Sequence, residues 1–129
     1  MTFVDSSVLI AAGRTVDQHH ARAAELLIQH QSELLITDHI LAETLTVLAK
    51  HDGASKALDY ARRILAIETV RLLYNNPQRN AQALSIIAKY HDLSFCDALS
   101  VYVMQENRVH KILSFDSDFD HIPAITRIY

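Results

Sequence analysis

Several residue types that mark particular classes of protein are scarce in this chain. Its 129 residues include one cysteine, two glycines, two prolines and no tryptophan. The single cysteine, Cys96, permits no disulfide within the chain and no clustered-cysteine zinc site, which fits a reducing cytosol. No apolar run approaches the ~20 residues that span a membrane, and the first residues lack the pattern of a signal peptide. We therefore expect a cytoplasmic protein.

A strong excess of positive charge is also missing. The formal net charge is −3 with the eight histidines counted as neutral. This charge excludes a protein that binds nucleic acid through its overall charge, but it does not exclude binding through a local patch or through metal ions. The scarcity of glycine and proline predicts short loops and no flexible linker. Since half of the residues are hydrophobic, we expect one domain, over residues 1–129, with a core of its own.

Short apolar segments alternate with longer amphipathic ones along the chain. The former predict strands over residues 2–5, 34–37, 69–74, 111–115 and 125–129. The latter predict helices from Ser7 to about Ala12 and over residues 18–31, 38–51, 54–66, 77–91 and 95–107, with Asp38 as the cap of the third. Such alternation in a small domain is typical of an α/β fold with a mainly parallel sheet flanked by helices.

Two aspartates follow predicted strands. Asp5 ends the first apolar segment, in "FVDSS", and Asp116 follows the fourth, in "ILSFDSDFD". Ligands of open parallel sheets bind beyond the carboxyl ends of the strands. The two aspartates are therefore expected at the same edge of the sheet.

Two further acids lie on helix faces that should be buried. Glu43 shares a predicted face with Ile40 and Val47, and Asp97 shares one with Val101 and Met104. We expect both carboxylates to point inward. Acidic side chains are rarely buried unless they are paired or bind a metal ion.

Each acid also has a simpler explanation when it is considered alone. Asp5 can cap the first helix, and Asp97 can form a capping box with Ser94. Asp116 can close a turn, and Glu43 can lie just beside the buried stripe of its helix. The four acids together, two at strand ends and two on helix faces, favour a shared site.

A shared site for four carboxylates requires cations. Two like charges ~4 Å apart repel by ~4 kcal/mol at an effective dielectric constant near 20. Oxygen ligands favour Mg²⁺ or Mn²⁺, and such ions activate water for hydrolysis of a phosphodiester. In that setting Ser6, Ser7 and Ser114 are candidates to hold a metal-bound water or a phosphate oxygen. The histidines are scattered, so we do not expect a histidine metal site.

These motifs, in this order and at these intervals, resemble those of the PIN-domain ribonucleases, and most closely the VapC-type toxins of toxin–antitoxin pairs. The resemblance runs from residue 3 to residue 129. It implies that Asp5, Glu43, Asp97 and Asp116 are the catalytic and metal-binding acids, with Asp118 as a possible fifth. It also implies a five-stranded parallel sheet, a homodimer, RNA as the substrate and an antitoxin protein as the partner.

Other classes of protein fit the sequence less well. A phosphotransfer receiver domain needs an acidic pair after its first strand, and a haloacid-dehalogenase-type phosphatase needs an aspartate at position 7, which is serine here. No glycine-rich nucleotide-binding loop is present. Two alternatives stay open: a housekeeping RNA-processing nuclease with the same fold, and a binding module that keeps the fold without catalysis.

Overall fold

The computed structural model describes all 129 residues as alternating strands and helices. The strands are β1 (Thr2–Val4), β2 (Leu34–Thr37), β3 (Val70–Leu73), β4 (Lys111–Leu113) and β5 (Thr126–Ile128). The helices are α1 (Ser6–Gly13), α2 (His20–Gln29), α3 (Asp38–Asp52), α4 (Ala54–Leu65), α5 (Pro77–Lys89) and α6 (Phe95–Glu106), followed by a 3-10 helix over Ser117–His121. None of these helices has the length and apolar character needed to span a membrane.

The five strands form one sheet in the order β3-β2-β1-β4-β5, and all four pairings are parallel. The chain builds the sheet outward from β1 to β3 and then returns to the other side of β1 for β4 and β5. The strand order therefore reverses between β1 and β4, which is the place where open α/β sheets bind their ligands. The predicted α/β fold with a parallel sheet is confirmed.

The central strands form the core of the domain. Their apolar residues belong to a cluster of 21 buried residues, in which six from β1, β2 and β4 are at most 1% exposed: Phe3, Val4, Leu35, Ile36, Ile112 and Leu113. Both faces of these strands are covered, so the alternation of polar and apolar residues is absent there. The edge strands β3 and β5 are only partly buried.

Side chains at the helix starts account for several element boundaries. Asp5, Thr37, Asn76 and Ser94 each accept a hydrogen bond from a backbone N–H in the first turn of the helix that follows. The prediction that Asp38 caps α3 is wrong, because Thr37 has the extended backbone of a capping residue and accepts from the N–H of Ile40.

The end of β4 also differs from the prediction, which placed it at residue 115. The N–H of Ser114 still donates to the carbonyl of Ile128 in β5, but the two N–H groups that follow leave the sheet ladder. The N–H of Phe115 donates to Ser7 Oγ, and that of Asp116 donates to Ser114 Oγ. Asp116 then begins the 3-10 helix, which the sequence pattern did not indicate.

Candidate active site

Asp5 follows β1 directly and is only 5% exposed. Its Oδ2 atom accepts hydrogen bonds from Ser7 Oγ at 2.6 Å and from Ser114 Oγ at 2.8 Å, and a weaker one from the Ser7 N–H at 3.4 Å. Its Oδ1 atom accepts no hydrogen bond from the protein. Asp5 therefore caps α1 with one oxygen and keeps the other available for a ligand.

Two serine hydroxyls hold Asp5 in place. Ser7 Oγ and Ser114 Oγ lie 3.4 Å apart, and each also accepts a backbone N–H from the segment after β4. Ser6 is buried, but its side chain makes no hydrogen bond to Asp5. Ser7 and Ser114 thus join the loop after β4 to the start of α1 and orient Asp5, whereas Ser6 does not.

Asp116 lies beside this junction. Its Oδ1 atom accepts the N–H of Asp118 at 2.9 Å, and its Oδ2 atom has no partner in the protein. The predicted neighbour Asp118 is half-buried, and its side chain makes no hydrogen bond. Asp5 and Asp116 both contact Ser114, so the two acids that follow β1 and β4 lie at the same edge of the sheet, as expected.

Asp97, at the start of α6, is half-buried and shares its face with the fully buried Val101 and Met104, as predicted. It also forms the capping box, because its Oδ2 atom accepts hydrogen bonds from the N–H and the hydroxyl of Ser94. Burial raises the pKa of Asp97, the Ser94 hydrogen bonds oppose that rise, and the charges of Asp5 and Asp116 add to it. Three acids from distant parts of the chain therefore interact.

The prediction that Glu43 points inward is wrong, because its side chain is exposed. The buried stripe of α3 consists of Ile40, Thr44 and Leu48, and Glu43 lies beside it. Its charge nevertheless acts on Cys96, the residue before Asp97. The pKa of Cys96 is raised by burial first and then by the carboxylates of Glu43, Asp97 and Asp5.

None of the four acids is neutralised by the protein. The seven salt bridges use other acids, at Glu25, Glu33, Asp38, Asp52, Asp59, Glu106 and Asp120. No three side chains of the His, Cys, Asp and Glu types are close enough together to hold one ion. Mg²⁺ needs no such cage, since it binds through one or two carboxylates and keeps several waters. Unpaired carboxylates with free oxygens therefore fit Mg²⁺ or Mn²⁺.

The largest cavity of the molecule lies away from these acids. It has a volume of about 440 Å³, and 12 of its 15 lining residues are hydrophobic, among them Val4, Leu27, Ile64 and Val70. The largest cavity is ordinarily the first candidate for an active site. This one contains no acid and no histidine or cysteine, so the chemistry points instead to the carboxylates between β1 and β4.

A half-buried histidine beside the acids was not predicted. His39 Nε2 lies 3.2 Å from Thr37 Oγ1 and 3.3 Å from Ser100 Oγ, which connects the start of α3 to α6. Burial lowers the pKa of His39, and Asp38, the backbone of Cys96 and Asp5 oppose that change. The sequence feature that could have indicated this contact is Ser100, a polar residue within the apolar stripe of α6.

Comparison with known proteins identifies the family. The sequence profile described as the PIN domain matches residues 2–125. The chain belongs to the PIN domain family. Among PIN domain proteins, the 23S rRNA-specific endonuclease VapC20 of Mycobacterium tuberculosis is 30% identical over 121 residues, 92% of each chain. A VapC ribonuclease of Archaeoglobus fulgidus is 29% identical over 135 residues, which cover 98% of this chain and 83% of that protein.

Solved structures of PIN domain proteins have the same fold. The crystal structure of Mycobacterium tuberculosis VapC20, a sarcin-ricin loop cleaving toxin, matches with a TM-score of 0.85 at 29% identity, over 93% of each chain. A toxin–antitoxin complex from Klebsiella pneumoniae matches with a TM-score of 0.72 at 18% identity, over 98% of this chain and 96% of that one. The second similarity is evidence for the fold alone. The expected family is confirmed, and this PIN domain is of the VapC type.

Proposed function

We propose that this protein is an endoribonuclease that depends on Mg²⁺ or Mn²⁺ and acts as the toxin of a toxin–antitoxin pair. The observation that carries the proposal is the set of unpaired carboxylates at the point where the strand order reverses. Asp5 and Asp116 both contact Ser114 there, and Asp97 lies close enough for their charges to raise its pKa. None of the three takes part in a salt bridge. The similarity to an rRNA-specific endonuclease supports RNA as the substrate class.

The proposed roles follow from the contacts of each residue. One or two of the acids Asp5, Asp97 and Asp116 would bind the ion directly with their free oxygens, and the others would contact its waters. Glu43 would contribute from the exposed side, and Asp118 is a weaker candidate. When bound, the ion activates water and stabilises the leaving oxygen of the phosphodiester. The hydroxyls of Ser7 and Ser114 donate hydrogen bonds to Asp5 Oδ2. They therefore fix the side chain in the orientation in which Oδ1 would bind the ion.

The proposed partners are an antitoxin and a second copy of this chain, in the cytoplasm. The similarity to VapC20, which is described as a toxin, supports an antitoxin as the partner of this protein. Exposed apolar residues beside the large cavity support a protein partner as well, since Ile28 is 64% and Ile67 is 48% exposed.

The test compares the parent protein with Asp5→Asn in RNA cleavage assays that contain EDTA, Mg²⁺ or Mn²⁺. We expect cleavage only with a divalent ion, and a loss of about 100-fold or more in the variant, because the ion loses a ligand. In thermal unfolding, Mn²⁺ at 100 times its Kd should stabilise the parent by about 2.7 kcal/mol and the variant much less.

The matched control is Asp59→Asn, which removes an exposed aspartate of α4 whose only partner is Arg62. It should cleave RNA as the parent does. Full metal-dependent cleavage by Asp5→Asn would show that Asp5 only caps α1. Cleavage by the parent in EDTA would refute the metal dependence.

A further inference from the structure

Two aromatic rings stack at the rim of the acidic site. The centroids of the His19 and Phe115 rings lie 4.5 Å apart, and the ring planes differ by 22°. Phe115 immediately precedes Asp116, and its N–H donates to Ser7 Oγ, the hydroxyl that binds Asp5. The stacked pair therefore lies directly beside Asp116 and is connected to Asp5 through Ser7.

The outer ring of this pair is held in position but remains open to solvent. His19 is exposed, whereas Phe115 is half-buried and packs against the core. The backbone N–H of His19 donates to Asp17 Oδ1 at 2.8 Å. On the ring itself, Nε2 lies 3.2 Å from Gln18 Nε2. Phe115 covers one face of the imidazole and Gln18 meets one edge, so solvent reaches the remaining surface.

The rest of the site offers little else to attract RNA. The chain has a net charge of −3, and Arg127, the arginine nearest to the loop after β4, is already paired with Asp120. Stacking of a base on an aromatic ring needs no charge and tolerates any sequence.

We propose that His19, supported by Phe115, is a stacking platform for a nucleobase of the RNA substrate next to the cleaved phosphate. This inference depends on the proposed function, because the phosphate held at Asp5 and Asp116 brings a neighbouring base to the ring. Unpaired bases of single-stranded RNA commonly stack on aromatic and histidine side chains. Phe115 keeps the imidazole in place before RNA arrives.

The first test is steady-state cleavage of single-stranded RNA by His19→Ala and His19→Phe. Stacking of one base typically contributes 1–3 kcal/mol, so the alanine variant should raise KM by about fivefold or more with kcat nearly unchanged. The phenylalanine variant should restore a KM close to that of the parent. His51→Ala, which removes an exposed histidine in the last turn of α3, is the matched control and should change neither constant.

The second test does not depend on cleavage. The chain contains no tryptophan, so His19→Trp introduces a single fluorophore at the platform. Its emission should be quenched when single-stranded RNA is titrated in Mg²⁺ and the signal is read before cleavage proceeds, and His51→Trp should not respond. If the parent cleaves RNA while His19→Ala retains the parental KM and His19→Trp is not quenched, the platform is refuted and the proposed function stands. Quenching without any cleavage by the parent would support the platform and refute the nuclease.

Discussion

The surroundings of Asp97 have opposing effects on its pKa, and the net effect makes the stability of the protein depend on pH. Burial and the charges of Asp5 and Asp116 raise its pKa, and the hydrogen bonds of Ser94 lower it, with a net rise. Below the unfolded-state pKa of about 3.9, Asp97 is protonated in both states and contributes nothing to the pH dependence. As pH rises through the higher folded-state pKa, the charge forms in the folded protein at a cost in stability, and that cost persists at neutral pH.

This interaction predicts the effect of changing the neighbouring acids. Asp5→Asn and Asp116→Asn should each lower the pKa of Asp97, since each removes a negative charge that disfavours its ionised form. The measurement is an NMR titration of the Asp97 side-chain carboxyl carbon in EDTA. Added Mg²⁺ should lower the apparent pKa in the parent protein. Asp59→Asn should leave the titration unchanged, and an unchanged Asp97 pKa in both site variants would mean that the acids do not share a site.

Of the two roles that the sequence allowed for Asp5 and Asp97, the capping role is confirmed and the metal-binding role stays a prediction. The sequence permitted Asp5 to be a cap or a ligand, and the structure shows a cap on Oδ2 with a free Oδ1. Glu43 was misplaced because Thr44, a polar residue, occupies the buried stripe of α3. The Thr44 hydroxyl donates to the carbonyl of Ile40 at 2.8 Å, which removes the cost of burying it.

The start of α6 combines a structural and a functional contribution in one pair of residues. Ser94 and Asp97 form reciprocal hydrogen bonds, which satisfy backbone N–H groups that the helix itself leaves unpaired. The same contacts hold the Asp97 carboxylate at the edge of the acidic site. The stability of this helix end and the protonation of Asp97 are therefore coupled.

Ser94→Ala separates the two contributions. The variant should lose about 1 kcal/mol of stability, because the cap of α6 is removed. The pKa of Asp97 should rise further, since the Ser94 hydroxyl that stabilises its charged form is gone. Thermal unfolding and the NMR titration measure the two effects.

Ser85→Ala, on the exposed side of α5, is the control for Ser94→Ala and should be neutral or slightly stabilising. A Ser94→Ala protein with parental stability and an unshifted Asp97 would contradict the coupling.

The local pattern of apolar and polar residues predicted all five strands and all six α-helices, but not the residues at which some of them end. The apolar segments and caps are properties of neighbouring residues, so a sequence reveals them. The end of β4 depends on hydroxyls that capture the N–H groups of Phe115 and Asp116, one of which belongs to Ser7, 108 residues earlier. No local signal reports a contact over that distance. The 3-10 helix that follows has a local cap, the bond from the Asp118 N–H to Asp116, but an aspartate at this position also fits a simple turn.

In the domain as a whole, segments from the beginning and from near the end of the chain meet at one edge of the sheet. The reversal of strand order beside β1 brings the first and fourth strands together, so that residues after both can act on one ligand. The framework of this site is buried, because all three residues of β1 and two of the three residues of β4 are buried. The acids between them can therefore be changed individually without loss of the fold.

Because a variant at the site keeps the fold, the parent protein and an inactive variant can be compared in cells. Expressed alone in a bacterial host, the parent should slow growth, because uncontrolled cleavage of RNA stops protein synthesis. Asp5→Asn at the same soluble level should not, and co-expression of the antitoxin should restore growth with the parent. Growth curves with matched immunoblots measure the effect. Normal growth with abundant, metal-competent parent protein would favour a housekeeping nuclease.

The hydrogen bond between Ser114 and Asp5 also determines when the site is completed during protein synthesis. The two residues are separated by 109 positions, and a ribosome adds about 5–20 residues per second. Between about 5 and 20 seconds therefore pass after Asp5 is made before its second serine partner exists. Throughout that interval the nascent chain carries Asp5 without Ser114 and Asp116, so the ribosome that makes this protein is not exposed to an assembled acidic site on the growing chain.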